Sequence, residues 1–415
     1  MYFFFYNIGI RLYGLGIHIA ALFNAKAHKW VKGRSHWRED IIDTIPAVGR
    51  TLWVHAASLG EMEQGLPILR KLKEQYPEHQ ILVTFFSPSG LEHFENEGLA
   101  DYVLYLPLDT RRNAQEFLTL ISPELALFIK YDLWLNFFKQ IELMEIPLVV
   151  APAAFREDQW LFKNPGRHLA LPLLKKVDQI LVQNEISLKL LQEHGFENVQ
   201  LCGDTRFEQA MKVAEMHFIS DKIQAFCEDY FIIIGGSTWP REEDLLEQVQ
   251  KRYPECRLII APHDVSPANI QRLQRKFNAQ NAILYSEKPQ ESYRNNWVMI
   301  IDSIGLLKKL YRHGHMAFIG GGFGKSVHST IEPVVYKIPV AFGPNRHKFP
   351  ETEEMIQQGI GFEIRQASDL EKLVRDMDLH PSNREKVEQQ AERYLQTKKG
   401  GADMILSSIK PLIIS

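Results

Sequence analysis

The chain has 415 residues, more than one usual core organises, and about 150 residues per domain places the count at two or three. Hydrophobic residues at 45% against 24% charged exclude wholesale disorder, and three cysteines exclude a disulfide-stapled scaffold. With 48 basic and 51 acidic side chains the formal charge is −3, so no global positive field exists to hold a nucleic-acid backbone and no nucleic-acid partner is expected.

Tyr2 to Phe23 form an almost unbroken apolar run with Arg11 as its only formally charged residue. At about 1.5 Å per residue such a helix would reach about 33 Å, enough to cross a bilayer core, so a span is one reading. Asn7, Arg11, Gly14 and His18 recur at spacings of three and four, which gathers polar groups on one side and favours a helix lying in the interface. Lys26, Lys29, Lys32, Arg34 and Arg38 follow, with Trp30 and Trp37 interleaved, and read as a collar facing anionic headgroups. An ordinary buried helix and a signal peptide are the alternatives; the segment lacks a basic start and a convincing cleavage pattern.

From Thr51, short β-branched or aromatic runs alternate with amphipathic stretches. Strands are expected at 51–57, 80–87, 102–106, 125–132, 147–151, 179–183 and 199–203, with a helix such as 64–76 between them. The rhythm breaks over about 207–230, then resumes at 231–235, 257–261, 282–285, 298–302, 316–320 and 339–342. Strand and helix in alternation imply parallel sheets covered on both faces, hence an α/β chain of two Rossmann-like domains with the ligand in the cleft between them. The expected division is a membrane anchor or interfacial helix with its basic collar over 1–38, a first domain over 39–210, a linker over 211–230, a second domain over 231–380, and a helical segment over 381–415. That last segment, charged at 384–398 and apolar at 404–414, is expected to pack back across the junction.

The first strand runs out in His55-Ala-Ala-Ser58-Leu-Gly60-Glu61, which puts Ser58 and Glu61 at the carboxyl end of a parallel strand, where open α/β sheets present their ligands. Ser-x-x-Glu is also a capping box, so Glu61 reads either as a base or as a cap. In the second half, Gly320-Gly321-Gly322-Phe-Gly324-Lys325-Ser326-Val-His328-Ser329-Thr330-Ile-Glu332 follows a strand. Its glycine amides, a following helix and Lys325 read as a cradle for phosphate, matching neither a Walker loop nor the dinucleotide fingerprint. Glu332 suits a ribose diol, although Ser329-x-x-Glu332 is again a capping box. Ser237 and Thr238, in Gly235-Gly-Ser-Thr238, offer further donors or an N-cap, and His263 sits at another strand end. The three cysteines have no metal-ligand spacing and fit a reducing compartment. Asp376-Met-Asp378 lies in a charged helical pattern, and no metal is expected.

Taken together, 55–61, 84–90, 105–109, 130–136, 203–207, 235–238, 320–333 and 342–344 form a collinear set over nearly the whole chain. That set resembles the 3-deoxy-D-manno-octulosonic acid (Kdo) transferases of lipopolysaccharide biosynthesis, which have the two-domain GT-B glycosyltransferase fold. The resemblance implies inverting transfer of Kdo from CMP-Kdo to a lipid A precursor at the cytoplasmic face of the inner membrane. It places Glu61 as the base, and His328 to Glu332, where the family has His-Asn-x-x-Glu, on the nucleotide. Three departures stand out. Lys130-Tyr-Asp132-Leu-Trp134-Leu135 replaces a common Glu-x-Glu-x-Trp-Pro, Pro262-His263-Asp264 replaces Pro-Arg-His, and Ser329 replaces asparagine.

With that donor, Glu61 takes the proton of the attacking hydroxyl while the glycine loop and Lys325 meet charge on the leaving phosphate, and Lys130 and Arg206 are candidates for the donor's carboxylate. No cofactor is implied, and the partners are CMP-Kdo, the lipid A precursor and the anionic membrane surface. The rivals are a CMP-sialic acid transferase, a nucleotide-sugar epimerase, and a non-catalytic two-lobed ligand-binding protein.

Overall fold

The computed structural model describes residues 2–46, 49–288, 293 and 295–413. Two units divide the chain, Met1–Gln209 with Lys398–Ser415, and Ala210–Thr397. The sheet of the first unit has seven strands, β1 (Thr51–Ala56), β2 (Gln80–Phe85), β3 (Tyr102–Tyr105), β4 (Pro123–Phe128), β5 (Leu148–Ala153), β6 (Gln179–Val182) and β7 (Val199–Leu201). Their order is β3-β2-β1-β4-β5-β6-β7, every pair parallel.

A parallel sheet needs cover on both faces, and the sequence supplies it by alternation. Trp53, Leu82, Ala126, Phe128 and Val150 point into one core. Leu52, Val54, Ala56, Ile81, Val83, Leu125 and Leu127 point into the other. The helix leaving β1 (Leu59–Gln75) packs Ile68, Leu69 and Leu72 on the second core, whereas the helix leaving β4 (Leu135–Leu143) packs Leu135, Phe137, Phe138 and Ile141 on the first. Connections from the neighbours β1 and β4 therefore leave to opposite faces, which opens a crevice at their carboxyl ends.

The second unit repeats the scheme with β8 (Phe231–Thr238), β9 (Cys256–Pro262), β10 (Ile283–Leu284), β11 (Val298–Ile300), β12 (Met316–Ile319), β13 (Val340–Phe342) and β14 (Gly361–Glu363). Its order is β10-β11-β9-β8-β12-β13-β14, again all parallel, so the reversal falls between β8 and β12. Two Rossmann-like units of this kind are the architecture of the GT-B fold.

Several boundaries differ from those expected. The strand expected over 125–132 stops at Phe128, and Lys130 turns the chain with φ +68°. Residues 211–230, expected as a linker, fold into the second unit as parts of the helices Arg206–Glu215 and Asp221–Cys227. Phe226 is buried there, and the Lys222 ammonium donates to the carbonyls of Leu284 (2.9 Å) and Tyr285 (2.8 Å). The charged helix Pro381–Gln396 belongs to the second unit. Helix Gly401–Ile409 returns to the first, burying Ala402, Ile405, Leu406 and Ile409 in its second core. Ile414, the end of the expected apolar tail, lies outside the described residues.

The N-terminal helix α1 (Tyr2–Ala20) turns its polar stripe partly inward. Gly14 is buried, and a Cβ there would meet the Leu108 side chain at 2.7 Å. Tyr6 Oη donates to Asp109, whose carboxylate also accepts the backbone N–H groups of Asn136 (3.1 Å) and Phe137 (3.0 Å), and the Asn136 amide donates to Asn7 (3.0 Å). Phe4, Phe5, Ile8, Leu12, Leu15, Ile19, Leu22 and Phe23 are left exposed. The 100° step of a helix brings the first six onto one continuous stripe of α1. Among the described residues no single helix is long and apolar enough to cross a membrane; α1 and α2 (Ala25–Lys32) pass that test only as a pair bent by 120°.

The expected basic and aromatic collar is only partly a surface. Trp30, Trp37 and Arg34 are buried. Arg34 donates to the carbonyl oxygens of Leu106 (2.8 Å) and Phe86 (2.5 Å) with its guanidinium 4.0 Å from the Trp30 ring, because its aromatic neighbours exclude water and carbonyls must replace it. Burial pushes its pKa down to about 9. Lys26, Lys29 and Lys32 remain exposed.

Asp109 ties α1 to the sheet, and burial holds its carboxyl up at about 6 against the opposing pull of Tyr6, Asn136 and Phe137. Asp109→Ala leaves two backbone N–H groups unsatisfied and is expected to destabilise the first unit by about 3 kcal/mol. Hydrogen exchange is then expected to accelerate over residues 2–20 first; unchanged protection there would remove this tether.

Candidate functional site

In the first unit the crevice between β1 and β4 collects the chemistry. Ser58, extended at φ −144°, is the N-cap of α4, the helix Leu59–Gln75 that follows β1 after α3 (Trp37–Thr44). The Glu61 carboxylate accepts the Ser58 backbone N–H at 3.0 Å. The cap is therefore real, and it fixes the carboxylate at the strand end, so cap and base are compatible roles for one side chain. A Cβ on Gly60 would meet nothing within 4 Å, which leaves the approach beside Glu61 open.

From the neighbouring strand, Lys130 and Asp132 enter the same field. The Ile129 N–H donates to the His55 carbonyl at 2.8 Å, tying the two strand ends together immediately before they diverge. Burial lowers the Lys130 pKa, Glu61 and Asp132 raise it, and Arg206 lowers it further. Burial and the Glu61 charge hold the Asp132 carboxyl well above the usual carboxylate range, with Lys130 opposing. One cation thus lies among carboxylates where the resemblance noted in the sequence implies two glutamates. Arg206, the other expected cation, forks onto Asp204 with its Nε at 3.0 and 2.9 Å from the two oxygens, so its charge is compensated locally.

A buried polar chain supports this corner. Trp134 Nε1 donates to His55 Nε2 at 3.0 Å, and His55 Nδ1 lies 2.9 Å from Thr84 Oγ1, which also accepts from Trp53 Nε1 at 2.8 Å. An indole N–H only donates, so His55 is neutral with its proton on Nδ1. Complete burial, which lowers its pKa to about 3, agrees. Trp134 in turn packs against Phe86 with ring centroids 4.3 Å apart and planes tilted by 35°, and meets His55 edge-on at 6.5 Å. Sequence reasoning took His55 and Trp134 only as parts of motifs; their alternation with apolar neighbours was the available signal.

In the second unit the corresponding switch point, between β8 and β12, gathers the expected donor loop. A Cβ at Gly320 would lie 2.1 Å from the Ser237 carbonyl oxygen, and one at Gly322 2.6 Å from the Gly343 nitrogen, so both glycines serve close backbone packing. Gly321 takes the left-handed conformation at φ +87°. Behind the loop, burial pushes the Glu242 carboxyl up, and the backbone N–H groups of Trp239, Gly321 and Phe323 oppose that shift. Gly324 and Lys325 are exposed.

Two features expected of this loop are not found. The helix after it, Ile331–Val334, has four residues, too short to add an aligned dipole, because Gly320–Thr330 stays irregular and Pro333 sits inside the only turn. Its N-cap is Thr330 with no side-chain cap, so Ser329 does not form the capping box. Likewise Ser237, at φ +50°, and Thr238 close β8 instead of capping the next helix, whose N-cap is Trp239. Thr238 Oγ1 donates to the buried Glu243 at 3.4 Å, and Arg272 pairs with that glutamate at 2.6 Å. Glu332 is half-buried, and its charge acts on the wholly buried Tyr311.

Two histidines of this unit, His263 and His328, converge on Trp239, a residue the sequence reading passed over. Trp239 stacks on His263 at 4.5 Å, His263 on His328 at 4.7 Å, and Trp239 Nε1 donates to His328 Nε2 at 3.0 Å. Its place directly after Gly-Gly-Ser-Thr at a strand end was the only signal. Asp376 and Asp378 accept from Asn383 (3.0 Å) and from Tyr253, so each has a partner of its own within the helical region.

Comparison with known proteins gives the chemistry a setting. Residues 31–209 match the family described as 3-deoxy-D-manno-octulosonic-acid transferase (kdotransferase). The 3-deoxy-D-manno-octulosonic acid transferase of Haemophilus influenzae is 26% identical over 381 residues, 87% of each chain. That of Aquifex aeolicus is 28% identical over 327 residues, 77% of this chain and 83% of the other. Among solved structures, the UDP-GlcNAc 2-epimerase of Neisseria meningitidis bound to UDP-GlcNAc superposes with a TM-score of 0.63 at 15% identity, over 87% of this chain and all of that one (100%), which is a likeness of fold.

Proposed function

Since the chain belongs to the 3-deoxy-D-manno-octulosonic-acid transferase family and is a glycosyltransferase, we propose that it moves Kdo from CMP-Kdo to a lipid A precursor with inversion at the anomeric carbon. The observation that carries this reading is the Glu61 carboxylate, held by the Ser58 N–H at the carboxyl end of β1 and sharing its field with Lys130 and Asp132.

Glu61 takes the proton of an acceptor hydroxyl as its oxygen bonds the anomeric carbon, and the bond from that carbon to the phosphate oxygen breaks, its electron pair leaving with CMP. Lys130, lying among carboxylates, meets the donor's own carboxylate, and Arg206, paired with Asp204, adds a weaker field. The loop from Gly321 to Gly324, with Lys325, takes the single phosphate; Ser237, Thr238, His263, His328, Ser329 and Glu332 surround the nucleotide. One phosphate is within the reach of amides and one ammonium, so the reading needs no metal.

The acceptor is a lipid, which gives the exposed stripe of α1 a purpose. In this reading its large apolar side chains lie against the leaflet with the exposed Lys26 and Lys32 nearby for anionic headgroups, and the enzyme works at the cytoplasmic face of the inner membrane.

Incubation with CMP-Kdo and a tetra-acylated lipid A precursor is expected to give a product heavier by one Kdo or more by mass spectrometry. Glu61→Gln keeps an acceptor for the Ser58 N–H, so the melting temperature is expected to hold while transfer falls by about 100-fold or more. Full transfer by this variant, or lost folding with residual transfer, would leave Glu61 only its cap. For the membrane contact, Phe5→Glu with Leu12→Glu is expected to abolish sedimentation with anionic liposomes; undiminished sedimentation would remove α1 as the docking surface.

A further inference from the structure

The geometry points to Trp239 as a positioning residue that fixes His328 in the neutral tautomer with its proton on Nδ1, so that this ring offers the donor's phosphate one uncharged N–H. The inference rests on the reading of the second unit as the site of a CMP-sugar.

Three facts carry it. Trp239 Nε1 lies 3.0 Å from His328 Nε2, and an indole nitrogen has only a hydrogen to give. His328 Nε2 is therefore the acceptor, imidazolium is excluded while the bond stands, and the proton of the neutral ring resides on Nδ1. His328 is also held in place. Its backbone N–H donates to the Gly320 carbonyl at 2.9 Å, and a Cβ at Gly321 would come within 3.0 Å of its Cδ2, so the imidazole rests on the glycine loop itself. Finally, His328 Nδ1 hydrogen-bonds none of the described residues, and the ring is half-buried, which leaves that N–H for a ligand.

The surroundings keep the ring uncharged. Its face is covered by His263 at 4.7 Å and 16°. Burial, then His263, lowers the His328 pKa. Lys325 and Glu332 flank it on its own segment, and Asp264, next to His263, is held low by the Ser266 backbone N–H and hydroxyl. Trp239 itself is 43% exposed and stacks on His263 at 4.5 Å, so its indole contributes little to the core, and its N–H is the part the site uses.

Trp239→Phe keeps the stacked ring and removes only the N–H. In the full chain labelled with 15N-histidine, and with His328 assigned through a His328→Gln control, the unmodified protein is expected to show a pyridine-type nitrogen at Nε2 without any donor present. In Trp239→Phe that signal is expected to move toward the Nε2–H form. The KM for CMP-Kdo is then expected to rise about fivefold with kcat within about twofold, the size of one neutral hydrogen bond. An unchanged 15N pattern, or an unchanged KM, would overturn the inference. Failure of the unmodified chain to bind CMP would overturn the donor reading alone, since the tautomer is read without ligand.

Discussion

The reversal of strand order is the constraint on which the candidate site depends. Where β1 and β4 lie side by side, their connections leave to opposite faces, which opens a crevice at the carboxyl end between them. Backbone groups and side chains at that edge have the crevice to themselves. β8 and β12 repeat the situation in the second unit. Ser58, Glu61, Lys130 and Asp132 belong to the first reversal, and Ser237, Thr238 and the loop from Gly320 to the second; chain connectivity alone brings residues distant in sequence together.

Charge at such an edge is costly, and the structure handles it in two ways. In the first unit, charges of opposite sign are placed together: Glu61 and Asp132 with Lys130, Asp204 with Arg206. In both units, one imidazole is kept neutral by burial and by a tryptophan donor. Both Trp134 on His55 and Trp239 on His328 use the indole N–H, which cannot accept and so dictates the tautomer of its partner. The same logic serves the N-terminal helix, where buried polar bonds from Tyr6 and Asn7 leave the apolar side chains facing outward.

Much of the fold was legible because parallel strands are buried on both faces and read as short apolar runs. Runs such as Ile232-Ile233-Ile234 leave little ambiguity, whereas β14, three residues ending in Glu363 at a sheet edge, carries too little pattern to be seen. The strand after Leu125 was read too long because Lys130 turns the chain by a left-handed residue, which a lysine does not announce. Trp30 and Trp37 were read as interfacial from their cationic neighbours; the same composition forms a core when Arg34 is satisfied by carbonyls. At the candidate site, residue types and spacing located Glu61 and the glycine loop, but the role of Trp239 is a matter of ring geometry, and pair distances of that kind are written in the tertiary structure only.

The stereochemistry of transfer tests the central claim most directly. If Glu61 deprotonates the acceptor for a single displacement at the anomeric carbon, NMR of the first product formed from CMP-Kdo and a lipid A precursor will show the anomeric configuration opposite to that of the donor. A product that retains the donor's configuration would require a second displacement, and the account given for Glu61 would be wrong.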